Sequence, residues 1–176
     1  PVELSDDERA LYTAITGGPR AQGPQHFALT RADGSLQGPF DALLLSPPVG
    51  GAMQELGAAI RYGTQLDDRA REIAILLVAA RHDSAFERES HEAVASAMGI
   101  TGEELAALRE ERVTAFSGDD ALVASVVVSL LDGDLDDGLW ATASMALTAR
   151  GVFELSALVG YYGTLALQLR IFRVDE

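Results

Sequence analysis

The chain has 176 residues, of which 48% are apolar, and a formal net charge of -14 at pH 7. This length and composition favour one globular domain with its own hydrophobic core over a disordered chain. The negative charge argues against nucleic acid or an anionic membrane surface as a partner, because both require clustered Lys and Arg. The absence of cysteine excludes disulfides, thiolate metal sites and cysteine nucleophiles.

The first ten residues, PVELSDDERA, are acidic and lack the basic start and the apolar core of a signal peptide. We therefore expect a cytoplasmic protein. The longest apolar run, residues 151–169, is interrupted by Glu154, Ser156, Gln168 and two glycines. These interruptions favour a buried core helix over a membrane span.

The N-terminal part predicts one helix followed by a long irregular segment. Residues 5–8, Ser-Asp-Asp-Glu, form a capping box, and Gly17 marks the end of the helix that it opens. Residues 19–48 are rich in Gly and Pro, with a short helical turn expected only over residues 40–45. An irregular segment of this length is usually a lid, a binding loop or an arm that contacts another subunit.

Residues 66–104 predict two helices that meet at a polar corner, residues 81–91. The first of them is capped by Asp67 or Asp68. It is apolar on every side, since residues 73–80 contain no polar side chain. Such a helix is normally buried by its neighbours.

The remaining patterns also predict helices. Three consecutive valines, residues 126–128, favour a strand locally, but no partner strand or hairpin signal is near them, so a helix is expected. The expected helices are residues 48–63, 101–112, 119–131, 136 or 137 to 150, and 151–172. Met53, Leu56 and Ile60 are expected on the inner face of the first of these. We therefore predict an all-α single domain, in which residues 1–50 form the first helix and the arm and residues 51–176 form the helical core.

The second helix of the central pair carries a polar stripe. Ser84, Glu87, Arg88 and His91 are spaced i, i+3, i+4 and i+7, so their side chains share one face. Glu72 lies at the start of the apolar run of the first helix. A hydroxyl, a carboxylate and an imidazole beside a buried carboxylate can transfer protons, which makes this stripe the candidate active site.

Residues 71–105, REIAILLVAARHDSAFERESHEAVASAMGITGEEL, resemble the carboxymuconolactone decarboxylase family, which includes the alkylhydroperoxidase D-like proteins. The flanking segments GPFDALLLSPPVG and ELSALVGYYGTLAL add to the resemblance. It implies a multi-helix alkylhydroperoxidase D-like bundle that forms homo-oligomers, often trimers or hexamers. The peroxidase branch has a Cys-x-x-Cys where this chain has Ser84 and Glu87, whereas Glu72 and His91 occupy positions that match its acid–base residues.

Thiol peroxidase activity is chemically blocked, because serine and glutamate cannot form a disulfide or reduce a peroxide through a sulfenate. The decarboxylase branch needs no cysteine. Its enzymes act on a carboxylated lactone without a metal or an organic cofactor, and they often carry an aromatic–Glu pair ahead of the same His. Phe86 and Glu87 resemble that pair, so the resemblance implies a cysteine-free enzyme that needs neither a cofactor nor a metal.

We predict His91, Glu72 and Glu87 as catalytic residues. His91 would act as general acid or base, although a histidine hydrogen-bonded within a helix interface would have the same pattern. Glu72 would orient His91 or take a proton itself. Alternatively, it is a carboxylate near a helix N-terminus that pairs with Arg71 or Arg69.

We predict Ser84, His82, Arg81 and Arg88 as substrate-binding residues. Each has a structural alternative. Ser84 with the glutamate three residues later can form a capping box, and histidine is favoured at a helix C-terminus. The two arginines can hold a substrate carboxylate or pair with nearby glutamates, namely Glu87, Glu89 or Glu92.

The sequence therefore predicts a cofactor-independent acid–base enzyme that acts on a small carboxylated or lactone-type substrate. An isomerase or cyclase on the same fold and a non-catalytic oligomeric protein are the alternatives. The expected partners are a small molecule and further copies of the chain, with no nucleic acid and no membrane.

Overall fold

A computed structural model describes residues 3–18 and 28–174. Within these ranges the chain is helical, and its only extended pairing is an isolated bridge between Thr30 and Leu36, so the all-α prediction is confirmed. The helices are α1 (Asp6–Gly17), α2 (Phe40–Leu43), α3 (Pro47–Tyr62), α4 (Asp68–Arg81), α5 (Ala85–Ala97), α6 (Gly102–Arg109), α7 (Gly118–Leu131), α8 (Asp137–Ala146) and α9 (Thr148–Ile171), with a 3-10 turn at Val113–Ala115.

Helix α4 is the centre of the fold. All residues from 70 to 79 are buried, and α5, α6, α7 and α9 pack around them. A helix without a polar side chain between residues 73 and 80 has no face that favours water, so it is stable only when surrounded in this way. The predicted buried helix is therefore confirmed, and it carries Glu72 into the core.

Both ends of α4 are anchored by ion pairs. Arg69 lies near its N-terminal end and Arg81 is its last residue. The partners are carboxylates from the surrounding elements, Glu104 and Asp120 for Arg69 and Glu111 and Asp132 for Arg81. These bonds, with the side chain of Glu111 first, raise the pKa of Arg81 further above its usual range.

A smaller apolar cluster joins α1, the described part of the arm and α2. Its buried members are Leu11, Ile15, Leu36, Phe40, Leu43 and Leu44. Gly38, with φ +64°, lies so close to Phe86 that an added Cβ would be 2.4 Å from the aromatic ring. The arm therefore packs onto the first turn of α5. Residues 19–27 of the predicted irregular segment lie outside the described residues.

Three details of the helix prediction are wrong. Leu56, expected on an inner face, is 43% exposed, and α6 ends at Arg109 instead of Arg112. The last two helices separate at Leu147 and Thr148, not at Arg150 and Gly151. The N–H of Leu147 donates to the Ala143 carbonyl at 2.7 Å, and Thr148 adopts φ +65°. The side chain of Gln65 then donates to Leu147 O and Thr148 Oγ1, a tertiary contact that fixes the turn.

Helix α9 is long and apolar enough to cross a membrane by length and composition, although 44% of its most apolar window is buried in the protein. It packs against α3, α4, α7 and α8, and its inner face includes Tyr161 and Tyr162. The expectation of a core helix here agrees with this packing.

Candidate active site

The corner between α4 and α5 is a tight helix ending. His82 caps α4, and Asp83 adopts the left-handed conformation with φ +50°. The N–H of Ser84 donates to Ala79 O at 2.9 Å and the N–H of Asp83 donates to Ala80 O at 3.1 Å. This is the Schellman arrangement, in which aspartate replaces the usual glycine because its short polar side chain tolerates the left-handed region. The chain reverses here, and α5 packs back against α4.

That reversal brings Glu72 of α4 and His91 of α5 together. Glu72 Oε2 lies 2.7 Å from His91 Nδ1, and the two residues are only 1% and 7% exposed. The alternative partners of Glu72 are occupied elsewhere, since Arg69 binds carboxylates of α6 and α7 and Arg71 binds Asp68. The structural alternative for Glu72, pairing with Arg69 or Arg71, is therefore wrong.

The pair is arranged for proton transfer at the other imidazole nitrogen. A carboxylate oxygen accepts hydrogen bonds, so the tautomer that suits this contact is the one in which Nδ1 of His91 donates to Glu72. The other carboxylate oxygen, Oε1 of Glu72, is buried and has no hydrogen-bond partner among the described residues. The ring of Tyr162 meets the imidazole edge to face at 5.4 Å between centroids. Glu72 thus fixes the tautomer, and Nε2 is the atom that can exchange a proton with a substrate.

The rest of the polar stripe is buried with His91. Glu87 is buried one turn before it, and Ser84 is only 2% exposed. Ser84 occupies the N-cap position of α5, yet its side chain makes no capping bond. Its hydroxyl has no hydrogen-bond partner among the residues described. The capping-box alternative for Ser84 is therefore wrong, although the capping boxes opened by Ser5 and Thr101 both form.

A cavity of about 350 Å³ lies between the corner and the end of α9. Its lining residues are His82, Asp83, Ser84, Ala166, Leu169, Arg170 and Arg173. Two of the predicted substrate-binding residues, His82 and Ser84, thus share one cavity. His91 lies seven residues beyond Ser84, or about 10 Å along α5 at 1.5 Å per residue, and it does not line this cavity.

Residues 47–128 match the model of the Carboxymuconolactone decarboxylase family. The match confirms the resemblance over this part of the chain, which includes Glu72, Ser84, Glu87 and His91. The absence of cysteine is consistent with its cysteine-free branch. Neither a curated protein nor a solved structure matches the chain.

The two arginines predicted to bind substrate lie outside the cavity. Arg81 is held by Glu111 and Asp132, and Arg88 approaches the exposed Asp83 at 4.0 Å. The expected ion pairs of these arginines with Glu87, Glu89 or Glu92 are therefore wrong. Glu92, for example, pairs with Arg109, which raises the pKa of that arginine. Among residues 3–18 and 28–174, no group of three or more His, Asp or Glu side chains is placed to hold a metal ion.

Two residues that line the cavity were not predicted from the sequence as site residues. Arg170 and Arg173 lie outside the range that matches the carboxymuconolactone decarboxylase family. Their i, i+3 spacing at the end of the last helix places them on one face, which is a visible signal. The sequence does not show, however, that this face meets the corner at residue 82, because the two segments are 88 positions apart. In the structure Nη2 of Arg170 donates a hydrogen bond to His82 O, which joins the end of α9 to the corner.

Proposed function

We propose that the protein is a cofactor-independent acid–base enzyme that acts on a small carboxylated or lactone-type organic molecule, in the manner of a carboxymuconolactone decarboxylase. The observation that supports this most strongly is the buried contact of 2.7 Å between Glu72 and His91. The family match over residues 47–128 adds to it. Because the chain has no cysteine, peroxide reduction by a thiol is excluded.

In this proposal His91 transfers the proton through Nε2, and Glu72 orients the imidazole and stabilises the imidazolium that forms. Glu87 assists or positions the substrate from the adjacent turn. In a decarboxylation, the bond between the substrate carbon and its carboxylate breaks and carbon dioxide leaves. The electron pair stays on that carbon, which then takes the proton delivered by His91. No oxidant and no electron acceptor is required.

The test is turnover of carboxymuconolactone, followed by release of carbon dioxide. Substitution of His91→Asn should lower kcat by roughly 10²- to 10⁴-fold, the usual contribution of a general acid–base group. Glu72→Gln should lower it by a smaller factor, because an amide can still hold the ring but cannot stabilise its charge. The control is Ser96→Ala, since Ser96 is exposed on the same helix and its hydroxyl donates to Glu92 O.

An unchanged rate in the His91→Asn variant would contradict the proposal. The same proton-transfer groups can support isomerisation or lactone opening, so product analysis by NMR separates those reactions from decarboxylation. A wild-type protein that converts no lactone acid would instead favour the non-catalytic alternative.

We also propose that the protein is a homo-oligomer. Large apolar side chains on α8 and α9 are exposed in the single chain, with Met145 at 83% and Phe153 at 71%. Exposed apolar area of this kind often marks contacts between subunits.

A further inference from the structure

We propose that the cavity between the corner and the end of α9 is a carboxylate-binding site. Arg170 and Arg173 supply its positive charge, and Ser84 supplies a hydrogen-bond donor. As an assignment of substrate class this inference rests on the proposed function, since it names the group by which the substrate is held. The binding site itself is tested without turnover.

Arg170 brings an unneutralised positive charge to the cavity, as far as the described residues show. In a chain with a net charge of -14, the partly buried Arg69 and Arg81 are both neutralised by carboxylates. Arg170 is different, because it makes no ion pair with a carboxylate among the described residues, and its Nη2 donates to a backbone carbonyl, His82 O. The guanidinium carries five N–H donors, so most of them are left for a ligand in the cavity.

The buried hydroxyl of Ser84 is a hydrogen-bond donor in need of a partner. The residue lines the cavity, and its hydroxyl is buried and lacks a hydrogen-bond partner among the described residues. A buried polar atom in this state is costly unless a ligand or water satisfies it. Ser84 also stands at the N-terminus of α5, where the side chain makes no cap and the first backbone N–H groups favour a negative charge. An anion is therefore favoured by the Ser84 hydroxyl, by the N-terminus of α5 and by Arg170 together.

The shape of the cavity also suits a small carboxylate. A guanidinium presents a planar fork that matches the two oxygens of a carboxylate. Ala166 and Leu169 give the cavity an apolar wall, and a volume of about 350 Å³ is sufficient for a small organic acid. Because Ser84 is about 10 Å along α5 from His91, the carboxylate held here is one that the reaction retains, not the one it removes.

The carboxylate of Asp83 opposes the binding of an anion in this cavity. Asp83 lines the same cavity, but its side chain is 92% exposed and points toward Arg88, 4.0 Å away. Removal of this carboxylate should therefore strengthen anion binding. Asp83→Asn is the suitable variant, since asparagine also tolerates the left-handed conformation found here.

The experiment is a calorimetric titration of the full chain with benzoate, and benzamide serves as the uncharged molecule of similar shape. Wild type should bind benzoate and not benzamide. Arg170→Gln and Arg173→Gln should each weaken benzoate binding by about tenfold or more, and Ser84→Ala by several-fold. Asp83→Asn should tighten it. Arg61→Gln, which removes the same charge outside the cavity, should leave it unchanged.

Equal binding of benzamide, or no binding of benzoate at millimolar concentration, would overturn the proposal. So would undiminished affinity in both Arg170→Gln and Arg173→Gln, with circular dichroism showing that each is folded. Phenyl phosphate is titrated in the same way. If it binds more tightly than benzoate, the assignment of the site to carboxylates is overturned. His91→Asn should bind benzoate like wild type, so failure of this site and failure of the proposed catalysis are observed separately.

Discussion

The carboxylate of Glu72 and the imidazole of His91 meet at 2.7 Å across the interface between α4 and α5. Their helices are joined by only three residues, His82, Asp83 and Ser84. The tight corner therefore sets the register of the two helices, and the register sets the contact. Both side chains are buried, so each depends on the other for its hydrogen bond.

This dependence predicts a strong coupling in stability. Glu72→Gln and His91→Gln should each lower the free energy of unfolding by about 1–3 kcal/mol, because each leaves a buried polar group poorly satisfied. The double variant should lose less than the sum, with a coupling of about 1 kcal/mol or more. Urea unfolding measures all four proteins. The partly exposed pair Arg109 and Glu92 serves as the control, and its coupling should be less than about 1 kcal/mol. Additive losses at the buried pair would contradict the prediction.

Gly38 should be intolerant of a side chain. Its φ of +64° disfavours other residues, and a Cβ would overlap the Phe86 ring at the start of α5. Gly38→Ala should therefore destabilise the protein by about 1–3 kcal/mol. Gly51→Ala is the matched control, since Gly51 lies within α3 and an added Cβ would meet no atom within 4 Å among the described residues outside the adjoining helix backbone. That substitution should be neutral or slightly stabilising in thermal unfolding, and equal behaviour of the two variants would refute the proposed packing of the arm.

Glu104 should contribute to stability in a pH-dependent manner. Its pKa is lowered from the ordinary value of 4.5, first by the backbone N–H of Thr101 and further by the Thr101 hydroxyl and Arg69. A carboxylate with a lowered folded-state pKa stabilises the fold above pH 4.5, and this contribution is lost as the pH falls through the folded value. Glu104→Gln should therefore cost about 1 kcal/mol at pH 7 and much less near pH 3.

The measurement for Glu104 is urea unfolding across this pH range. Glu103→Gln, at the neighbouring exposed position, is the control and should change stability little at either pH. A loss in Glu104→Gln that is as large at pH 3 as at pH 7 would show that the carboxylate charge is not the cause.

The proposed oligomer predicts a mass above that of one chain in multi-angle light scattering. Phe153→Gln should shift the protein toward a smaller species, because it removes an exposed aromatic from α9 that we assign to a subunit contact. Met98→Gln, at an exposed apolar position at the end of α5, is the control and should leave the mass unchanged. A wild-type monomer at micromolar concentration would rule the oligomer out.

The sequence predicted the fold and the central contact because both depend on local patterns. The apolar residues 73–80 could only be a buried helix, and the capping signals at Ser5, Asp67 and Thr101 each formed as expected. The positions of Glu72 and His91 followed from two helices joined by a short corner. Their catalytic roles remain predictions.

The wall of the cavity could not be predicted in the same way. Local sequence placed Arg170 and Arg173 on a helix but gave no indication of what that helix end would meet. Ser84 was similarly ambiguous, because a serine at an N-cap position with a glutamate three residues later normally caps its helix. Here burial beside the end of α9 leaves that bond unmade. Tertiary packing, not local preference, decides these positions.

Anchoring of α4 at both ends has a consequence for motion. The ion pairs of Arg69 and Arg81 hold α4, the helix that carries Glu72, against α7 and its neighbours. The α4 side of the site is therefore rigid. Movement that admits a ligand must then come from the last turn of α9, where helix ends open most readily. Amide hydrogen exchange should accordingly be slow throughout α4 and fast near Phe172, and bound benzoate should slow exchange near Phe172 and at the start of α5.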